Sequence, residues 1–300
     1  MYLAFDVGGT YIKYGLLDKD GNVLEKSKVP SCNDDRQAFL GLIHKVYTKY
    51  REKSLEGIAL SVPGRVDAYK GVLVANGNLT CMIGENVADT ISALCDGIPA
   101  AVENDGRCAG LAESWIGAAK DVRNCYVLVF GTGIGGALIL DKKLIRGSHL
   151  IAGEASYLVT KPDLPNMDIH HFGIEYSTGG LIKEAKKQLG TEELTGERLF
   201  ELYHQKDPVV VKILEEFFFQ VACQCYNVQT IVDPDLICIG GGISEQACVV
   251  EGIQKYCHNI FENTKQFREP TVVPCRFRND SNLIGALYNF LQMHGKLTTA

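Results

Sequence analysis

Residues 5–13 read Phe-Asp-Val-Gly-Gly-Thr-Tyr-Ile-Lys, a glycine turn between two segments of strand character. Residues 2–7 are apolar and β-prone, and residues 11–18 read as a second strand. The same order of strand, turn and strand returns at residues 125–140, where the turn is Gly-Thr-Gly-Ile-Gly-Gly. We interpret the two copies as a weak internal repeat, in which each half contributes one glycine turn.

Strand and helix patterns alternate along the rest of the chain, which is typical of an α/β protein. Buried strands are predicted at residues 57–62, 100–102 and 236–239, and Asp20-Gly21 predicts a hairpin after the second strand. Apolar spacing predicts helices at residues 35–50, 85–96, 106–116, 179–189, 194–204, 208–230 and 281–293. The predicted domains are residues 1–117 with the C-terminal helix 284–300, and residues 118–283.

The bulk composition is that of an ordinary globular protein, with 300 residues, 46% hydrophobic and 22% charged. This length favours two domains, and a cleft between domains is a common place for a ligand. A net charge of −6 without a long basic run argues against duplex nucleic acid as a partner. No apolar run reaches the roughly 18 residues that span a bilayer, and no signal-peptide pattern is present, so no membrane association is expected. The 11 cysteines are scattered, which predicts buried free thiols in a cytoplasmic protein.

The first turn has the chemistry of a phosphate site. Gly8-Gly9-Thr10 offers backbone N–H groups without Cβ atoms in the way, and the Thr10 hydroxyl adds a donor. Lys13 on the next strand can place a cation near a transferring phosphoryl group. Asp6 ends the preceding strand, and an acidic group beside a phosphate loop suggests Mg²⁺, held directly or through water. Taken alone, Gly8-Gly9 would favour a plain hairpin.

The second turn makes nucleotide binding the better interpretation. It lacks the Gly-Lys-Ser/Thr ending of a Walker motif, and the strand that follows it argues against a dinucleotide fingerprint. A third glycine segment, Gly240-Gly241-Gly242, lies between a strand and a predicted helix, where it can pass beneath an adenosine or meet anionic groups. The residues predicted to bind the nucleotide at the second turn are Gly131, Thr132, Gly133, Gly135 and Gly136.

Taken together and in this order, the motifs resemble the ROK family of bacterial sugar kinases, within the actin-like ATPase superfamily. The resemblance covers nearly the whole chain and rests on Asp6–Lys13, Ser61–Gly64, Val102–Asp105, Ala109, Ala112-Glu113, Gly131–Gly136, Arg146-Gly147, Ala152–Glu154, Asp233-Pro234 and Gly240–Gly242. It implies an α/β fold of the actin-like ATPase (ribonuclease H-like) type, with two domains around an interdomain cleft. It also implies ATP, Mg²⁺, a sugar substrate and a homodimer.

Asp105 is the predicted catalytic base, because a sugar hydroxyl must be aimed at the γ-phosphoryl group and lose its proton. By position alone, Asn104 and Asp105 would fit the N-terminal cap of the next helix equally well. The resemblance favours catalysis for Asp105 and sugar binding for Asn104, and it implies further sugar contacts by Gly64, Asn78 and Glu154. Without it, Asn78 would be an ordinary turn residue and Glu154 a solvated surface residue.

The sequence departs from the family pattern after Glu154. Many relatives continue with Ile-Gly-His and a cysteine-rich zinc loop, whereas Tyr157 stands here in place of the histidine and residues 160–176 contain no cysteine. His170-His171 lack cysteine partners and are expected to be loop residues, so we predict no structural zinc. Zinc-less members with a tyrosine at this place resemble β-glucoside kinases, which phosphorylate the 6-hydroxyl of the non-reducing glucose in disaccharides such as cellobiose.

Other substrates and other classes of protein stay open at this stage. Glucose and N-acetylmannosamine are alternative substrates, and Tyr157 is predicted to take part in the choice. A sugar-responsive repressor would need an N-terminal helix-turn-helix, which is not expected because the sequence starts with the first strand. A non-catalytic sugar sensor on the same fold is disfavoured by the presence of Asp105, Lys13 and both glycine turns.

Overall fold

The computed structural model describes residues 1–75, 77–163, 168–265 and 268–297. The strands are β1 (Tyr2–Val7), β2 (Tyr11–Leu17), β3 (Val23–Pro30), β4 (Gly57–Val62), β5 (Arg65–Asp67), β6 (Val72–Ala75), β7 (Ala100–Asn104), β8 (Cys125–Phe130), β9 (Ile134–Leu140), β10 (Lys143–Leu144), β11 (Val159–Asp163), β12 (Asp168–His171), β13 (Leu236–Gly240) and β14 (Val272–Pro274). The helices are α1 (Arg36–Tyr50), α2 (Val87–Leu94), α3 (Asp105–Ile116), α4 (Phe172–Glu175), α5 (Thr178–Leu189), α6 (Gly196–His204), α7 (Pro208–Val232), α8 (Ala247–Thr264) and α9 (Ser281–Met293).

The chain divides into two compact units. The first contains residues 1–117, residues 146–152 and the C-terminal part from residue 279, and the second contains residues 118–145 and 153–278. Residues 146–152 and 279–283, which the sequence analysis placed in the second domain, therefore lie in the first unit. That each unit is an independent domain stays a prediction.

The two units contain sheets of the same design. The first sheet has the order β3-β2-β1-β4-β7 and the second has the order β10-β9-β8-β13-β14. In both, an antiparallel meander of three strands, joined by the glycine turn, continues into two strands that run parallel to the first. This topology confirms the predicted internal repeat and the α/β class.

Each unit has its own hydrophobic core, because its central strands are covered on both faces. In the first unit, β1 and β4 are buried along their whole length, with Phe5 and Phe39 among the largest buried side chains. In the second, Phe130 packs against Phe172 and Phe217. Strands that are buried on both faces give the site residues at their ends a rigid support.

The differences from the predicted elements follow from local chemistry. The strand β9 begins at Ile134, inside the second glycine segment, because residues 134–136 already pair with β8. The hairpins β5–β6 and β11–β12 were not predicted, since strands of three to five residues carry too little alternation to recognise. His170 and His171, expected in a loop, lie in β12, so that expectation was wrong. Within the described residues, no helix is both long and apolar enough to cross a membrane.

Candidate functional site

Polar residues lie side by side at the carboxyl ends of three parallel strands in the first unit. In the sheet register, Asp6 of β1 lies opposite Ser61 of β4, which lies opposite Glu103 of β7. The two predicted site segments, Gly8-Gly9 and Asn104-Asp105, follow these positions in the chain. Ligands of α/β proteins commonly bind at the carboxyl ends of the strands. The candidate residues of the first unit therefore lie at the edge of the sheet where a ligand is expected.

Asp6 is buried but well supplied with partners. Its Oδ1 accepts hydrogen bonds from Ser61 Oγ at 3.2 Å and from Asn282 Nδ2 at 2.9 Å, and Lys13 Nζ lies 3.6 Å from Oδ2. Among the residues that the structure describes, no group of three or more His, Cys, Asp or Glu side chains could hold a metal ion. A single anchored carboxylate fits Mg²⁺, which keeps several waters and is often held by one or two carboxylates together with substrate phosphates.

The first glycine turn is held from behind. The Gly8 carbonyl accepts hydrogen bonds from Ser31 Oγ at 2.7 Å and from Asn33 Nδ2 at 3.0 Å. Gly9 and Thr10 are exposed. The turn therefore has a fixed backbone with an accessible outer side, as a phosphate site requires.

Asn78 lies beside this turn. Its Nδ2 is 3.2 Å from the place that a Cβ atom on Gly9 would take. The preceding Gly77 has a φ of 126° and lies so close to Pro63 that a Cβ atom would come within 2.4 Å of the Pro63 carbonyl oxygen. This close approach, which only glycine tolerates, places Asn78, a predicted sugar contact, near the first glycine turn.

The corner between β7 and α3 holds the predicted catalytic base. Asn104 caps α3, because its Oδ1 accepts from Arg107 N at 3.0 Å, while its Nδ2 donates to Gly64 O and to Asp105 Oδ1, both at 2.9 Å. Gly106 N donates to the same Asp105 oxygen at 2.8 Å. The capping alternative therefore holds for Asn104, whose amide is occupied by protein groups. Asp105 keeps a fixed, partly exposed carboxylate.

Cys108, on α3, is buried within electrostatic reach of the carboxylates of this edge. Burial raises the pKa of its thiol well above the usual range, and the charges of Glu103, Asp105 and Asp6 raise it further, against a hydrogen bond with Ser61 that lowers it. The thiol therefore stays protonated at neutral pH.

In the second unit, the second glycine turn is pinned at both ends. Gly131 O accepts from Gly179 N at 3.3 Å, at the start of α5, and Ile134 N donates to Ser156 Oγ at 3.1 Å. Gly131 and Thr132 are exposed at the tip. The turn thus resembles the first one in having a fixed base and an accessible tip.

The third glycine segment meets the second turn. Gly241 has a φ of 88°, and a Cβ atom there would come within 2.0 Å of the Phe130 carbonyl oxygen. Gly242 is exposed and has no atom within 4 Å of its Cβ position. A short 3-10 helix, Gly242–Glu245, precedes α8, so the glycine segment does not run directly into the N-terminus of α8.

The segment Gly153-Glu154 is fixed by two contacts in the second unit. Tyr126 Oη donates to Gly153 O at 2.9 Å, and burial together with the nearby Glu154 charge raises the pKa of Tyr126, which therefore keeps its proton. Gly136 lies against the same carbonyl, since a Cβ atom on Gly136 would come within 1.9 Å of it. Gly136 is buried in β9, so close packing gives this position its own reason to be glycine.

Tyr157 is 63% exposed, and its ring meets His171 edge-on at 5.9 Å between centroids. His170, one residue earlier in β12, bonds through Nδ1 to the Glu175 carboxylate. His170 is thus bonded within its own segment, whereas His171 Nδ1 is buried without a hydrogen-bond partner among the described residues. The predicted absence of zinc stays a prediction.

A cavity of about 960 Å³ adjoins the second glycine turn. Its walls come from α4, α5, α7 and the segments next to them, with Tyr176, Gly179, Lys183, Ile213 and Phe217 among the lining residues. Gly179 also bonds to the glycine turn. Glutamate and lysine side chains line it beside the apolar ones.

The sequence analysis did not identify the residues that contact and orient the candidate site residues. Asn282, on the last helix, gave no signal, because it contacts Asp6 from 276 residues away in the chain. Glu103 and Arg146 each belong to a segment of the family resemblance, but nothing local showed that they form a buried ion pair. A charged residue inside an otherwise apolar strand was the available signal for Glu103.

Comparison with known proteins agrees with this description. The family model described as the ROK family matches residues 2–293. A β-glucoside kinase of Klebsiella pneumoniae is 32% identical over 296 residues, covering 97% of this chain and 96% of that protein. A β-glucoside kinase of Listeria monocytogenes is 30% identical over 293 residues, covering 96% of this chain and 97% of that protein.

Among solved structures, the crystal structure of a ROK family protein from Streptococcus pneumoniae in complex with sucrose is similar, with a TM-score of 0.89 at 28% identity and 99% of both chains covered. This likeness and the two five-stranded sheets confirm the predicted α/β fold of the actin-like ATPase (ribonuclease H-like) type. Because the family match extends over nearly its whole length, the chain belongs to the ROK family.

Proposed function

We propose that the chain is an ATP-dependent sugar kinase, which transfers the γ-phosphoryl group of ATP to a hexose hydroxyl. The observation that carries this proposal is the Asp105 carboxylate, whose Oδ1 is held by Asn104 Nδ2 at 2.9 Å and Gly106 N at 2.8 Å. It lies at the sheet edge from which the Gly8-Gly9 turn also leaves. The two relatives named β-glucoside kinase support the proposal.

In the proposed reaction, Asp105 accepts the proton of the sugar hydroxyl while the hydroxyl oxygen bonds to the γ-phosphorus. The bond from that phosphorus to the bridging oxygen breaks, and ADP leaves with the electron pair. Phosphoryl transfer needs little covalent catalysis by a protein. Most of the rate enhancement therefore comes from orienting the reacting groups and from stabilising the charge of the transition state. The two donors on Oδ1 give Asp105 a defined direction, which is what aiming a hydroxyl requires.

For the nucleotide, we propose that the accessible glycine turns hold the phosphates. Gly8, Gly9, Thr10 and Lys13 act from the first unit, and residues 131–133 with Gly240–Gly242 act from the second. The cavity beside Gly179 has room for the nucleoside. Asp6 would hold Mg²⁺ through water, and the ion supplies positive charge that offsets the charge of the phosphates.

For the acceptor, we propose a β-glucoside such as cellobiose, phosphorylated at the 6-hydroxyl of its non-reducing glucose. Glu154 would bond near the anomeric end of that glucose. Tyr157 presents an exposed ring three residues further on, and His171 packs edge-on against it. An aromatic ring held in one orientation can pack against the apolar face of a second sugar.

A panel of sugars at fixed ATP tests this function through the release of ADP. We expect cellobiose to give a higher kcat/KM than glucose, and both to exceed N-acetylmannosamine. A clear preference for glucose or for N-acetylmannosamine would remove the β-glucoside assignment while leaving the kinase intact. No sugar-dependent ADP release from folded protein would favour a non-catalytic sensor.

Replacing Tyr157 by alanine should affect the disaccharide more than the monosaccharide. Because the variant loses the packing of one aromatic ring against the second sugar, we expect kcat/KM to fall by about tenfold with cellobiose. With glucose, which has no second sugar, we expect it to fall by less than about threefold. Tyr157→Phe keeps the ring and should resemble the wild type. Ile231→Ala, which shortens a side chain that is 82% exposed on α7, is the matched control. Equal losses with both sugars would contradict a role at the second sugar.

The homodimer, the cytoplasmic location and the absence of nucleic acid partners stay predictions. They rest on the family resemblance and on composition. Direct sugar contacts by Gly64, Asn78 and Asn104 also stay predictions, and for Asn104 the observed hydrogen bonds favour holding Asp105 over touching the sugar.

A further inference from the structure

A buried ion cluster lies directly behind the Asn104-Asp105 corner of the first unit. Glu103 is fully buried, and its Oε2 accepts from Arg146 Nε at 2.7 Å. Its Oε1 accepts from Asn104 N at 2.8 Å, and Arg107 Nη1 lies 3.5 Å from the same oxygen, close enough for attraction but long for a hydrogen bond. One carboxylate therefore joins two arginines to the backbone of the corner.

Arg146 is itself held in one orientation. Its Nη2 donates to Asn289 Oδ1 at 3.0 Å, and its Nη1 donates to Tyr69 Oη at 3.2 Å. Asn289 is fully buried on α9, and its Nδ2 lies 3.4 Å from the Val102 carbonyl oxygen. The planar guanidinium thus bridges β7, α9 and the β5–β6 hairpin, a geometry that a lysine cannot reproduce.

Arg107 extends the cluster to the segment Arg146–Ala152. Its Nη2 donates to Leu150 O at 2.6 Å, and Leu150 has a φ of 61°, which is rare for a leucine. Strained backbone of this kind persists where the surroundings hold it, and it concentrates at functional sites. The chain then continues directly into Gly153-Glu154.

A buried ion pair is weak evidence for stability, because apolar residues of similar size often stabilise a core equally well. The ion pair of Glu103 and Arg146 has a different effect here, because it fixes the direction of the groups that are bonded to it. We propose that Glu103 and Arg146 are positioning residues, which fix the Asn104-Asp105 corner so that the Asp105 carboxylate points at the sugar hydroxyl. The proposal rests on the proposed function, in which Asp105 is the base.

The test removes both charges of the closer pair together, because Arg146→Met alone would leave the buried Glu103 carboxylate with only the more distant Arg107. Arg107 keeps its hydrogen bond to Leu150 O in this variant. In Glu103→Gln/Arg146→Met we expect kcat to fall by about tenfold to a hundredfold, with the KM for ATP within about twofold, since small misplacements of a catalytic group have such effects. The matched control is Glu85→Gln/Arg36→Met, which removes an exposed bidentate pair of the same unit and should leave kcat unchanged.

Amide hydrogen exchange gives a reading that does not depend on activity. The Gly106 and Arg107 amides, which donate to Asp105 and Asn104, should exchange faster in the double variant, while the Ala38 amide at the α1 cap should not. If the double variant does not fold, Arg146→Lys takes its place, with the same direction of change in kcat and exchange.

Wild-type kcat in a folded variant, or a loss of kcat without faster exchange at those two amides, would overturn the positioning role. A wild-type protein that releases no ADP with any sugar would refute the kinase proposal instead. The exchange data would still show in that case whether Glu103 and Arg146 fix the corner.

Discussion

Asp105→Asn should lower kcat by about a thousandfold with any accepted sugar, because the variant loses the carboxylate that takes the proton of the attacking hydroxyl. The replacement is nearly isosteric. Hydrogen bonds from Asn104 Nδ2 and Gly106 N fix the side chain at Oδ1, and an asparagine oxygen can accept both. The fold and the direction of the side chain should therefore survive, and the loss should fall on the chemical step.

Steady-state kinetics with glucose and cellobiose, together with ATP titration by calorimetry, separate the chemical step from binding. We expect the Kd for ATP to change by less than about threefold and the free energy of unfolding by less than about 1 kcal/mol. Asp89→Asn, the same change at an exposed residue of α2, is the control. Asp105→Asn with more than a tenth of the wild-type kcat would contradict the assignment of the base.

The parts of the fold that could be predicted are those that local sequence determines. Glycine turns between short apolar runs locate the meanders of both sheets, and periodic apolar residues locate most of the long helices within a few residues. The bounds of α8 were not predicted. The repeat was visible because both halves keep the same turn chemistry at residues 8–9 and 131–136. Short hairpins such as β5–β6 were not predicted, because two or three alternations of apolar and polar residues also occur by chance.

The parts of the site that could not be predicted depend on contacts between distant residues. Glu103 and Arg146 are 43 residues apart, and no local rule pairs them. Gly136 was recognised in the sequence, but the reason for a glycine at this position was not. Either a bound phosphate needs backbone without a Cβ atom, or neighbouring backbone leaves no room for one, and the sequence is the same in both cases. Only the packing separates them.

Gly136→Ala distinguishes those causes. The added Cβ atom would come within 1.9 Å of the Gly153 carbonyl oxygen and 3.1 Å of Ala155 N, and both neighbours are backbone atoms that cannot rotate away. Either β9 or the segment Gly153-Glu154 must move, and Tyr126 Oη would lose its fixed acceptor at Gly153. Overpacking of this kind costs about 1–3 kcal/mol of unfolding free energy.

We therefore expect two linked losses in Gly136→Ala. Denaturant unfolding should show the variant to be less stable by about 2 kcal/mol. The KM for the sugar should rise by about tenfold or more, because Glu154 moves with Gly153 and a displacement of about 1 Å has effects of this size. The KM for ATP should change less, since the exposed tip at Gly131 and Thr132 is not displaced directly.

Gly131→Ala is the matched control, because the nearest atom to its added Cβ is the Gly133 carbonyl oxygen at 4.0 Å. This variant should unfold like the wild type and show its defect in the KM for ATP, where a methyl group hinders the approach of a phosphate. The opposite pattern would reverse our interpretation. If Gly136→Ala were as stable as the wild type and impaired only in ATP binding, Gly136 would be a phosphate contact, as its place in the glycine turn first suggested. The two variants together thus assign each end of one six-residue motif to nucleotide binding or to the support of Glu154.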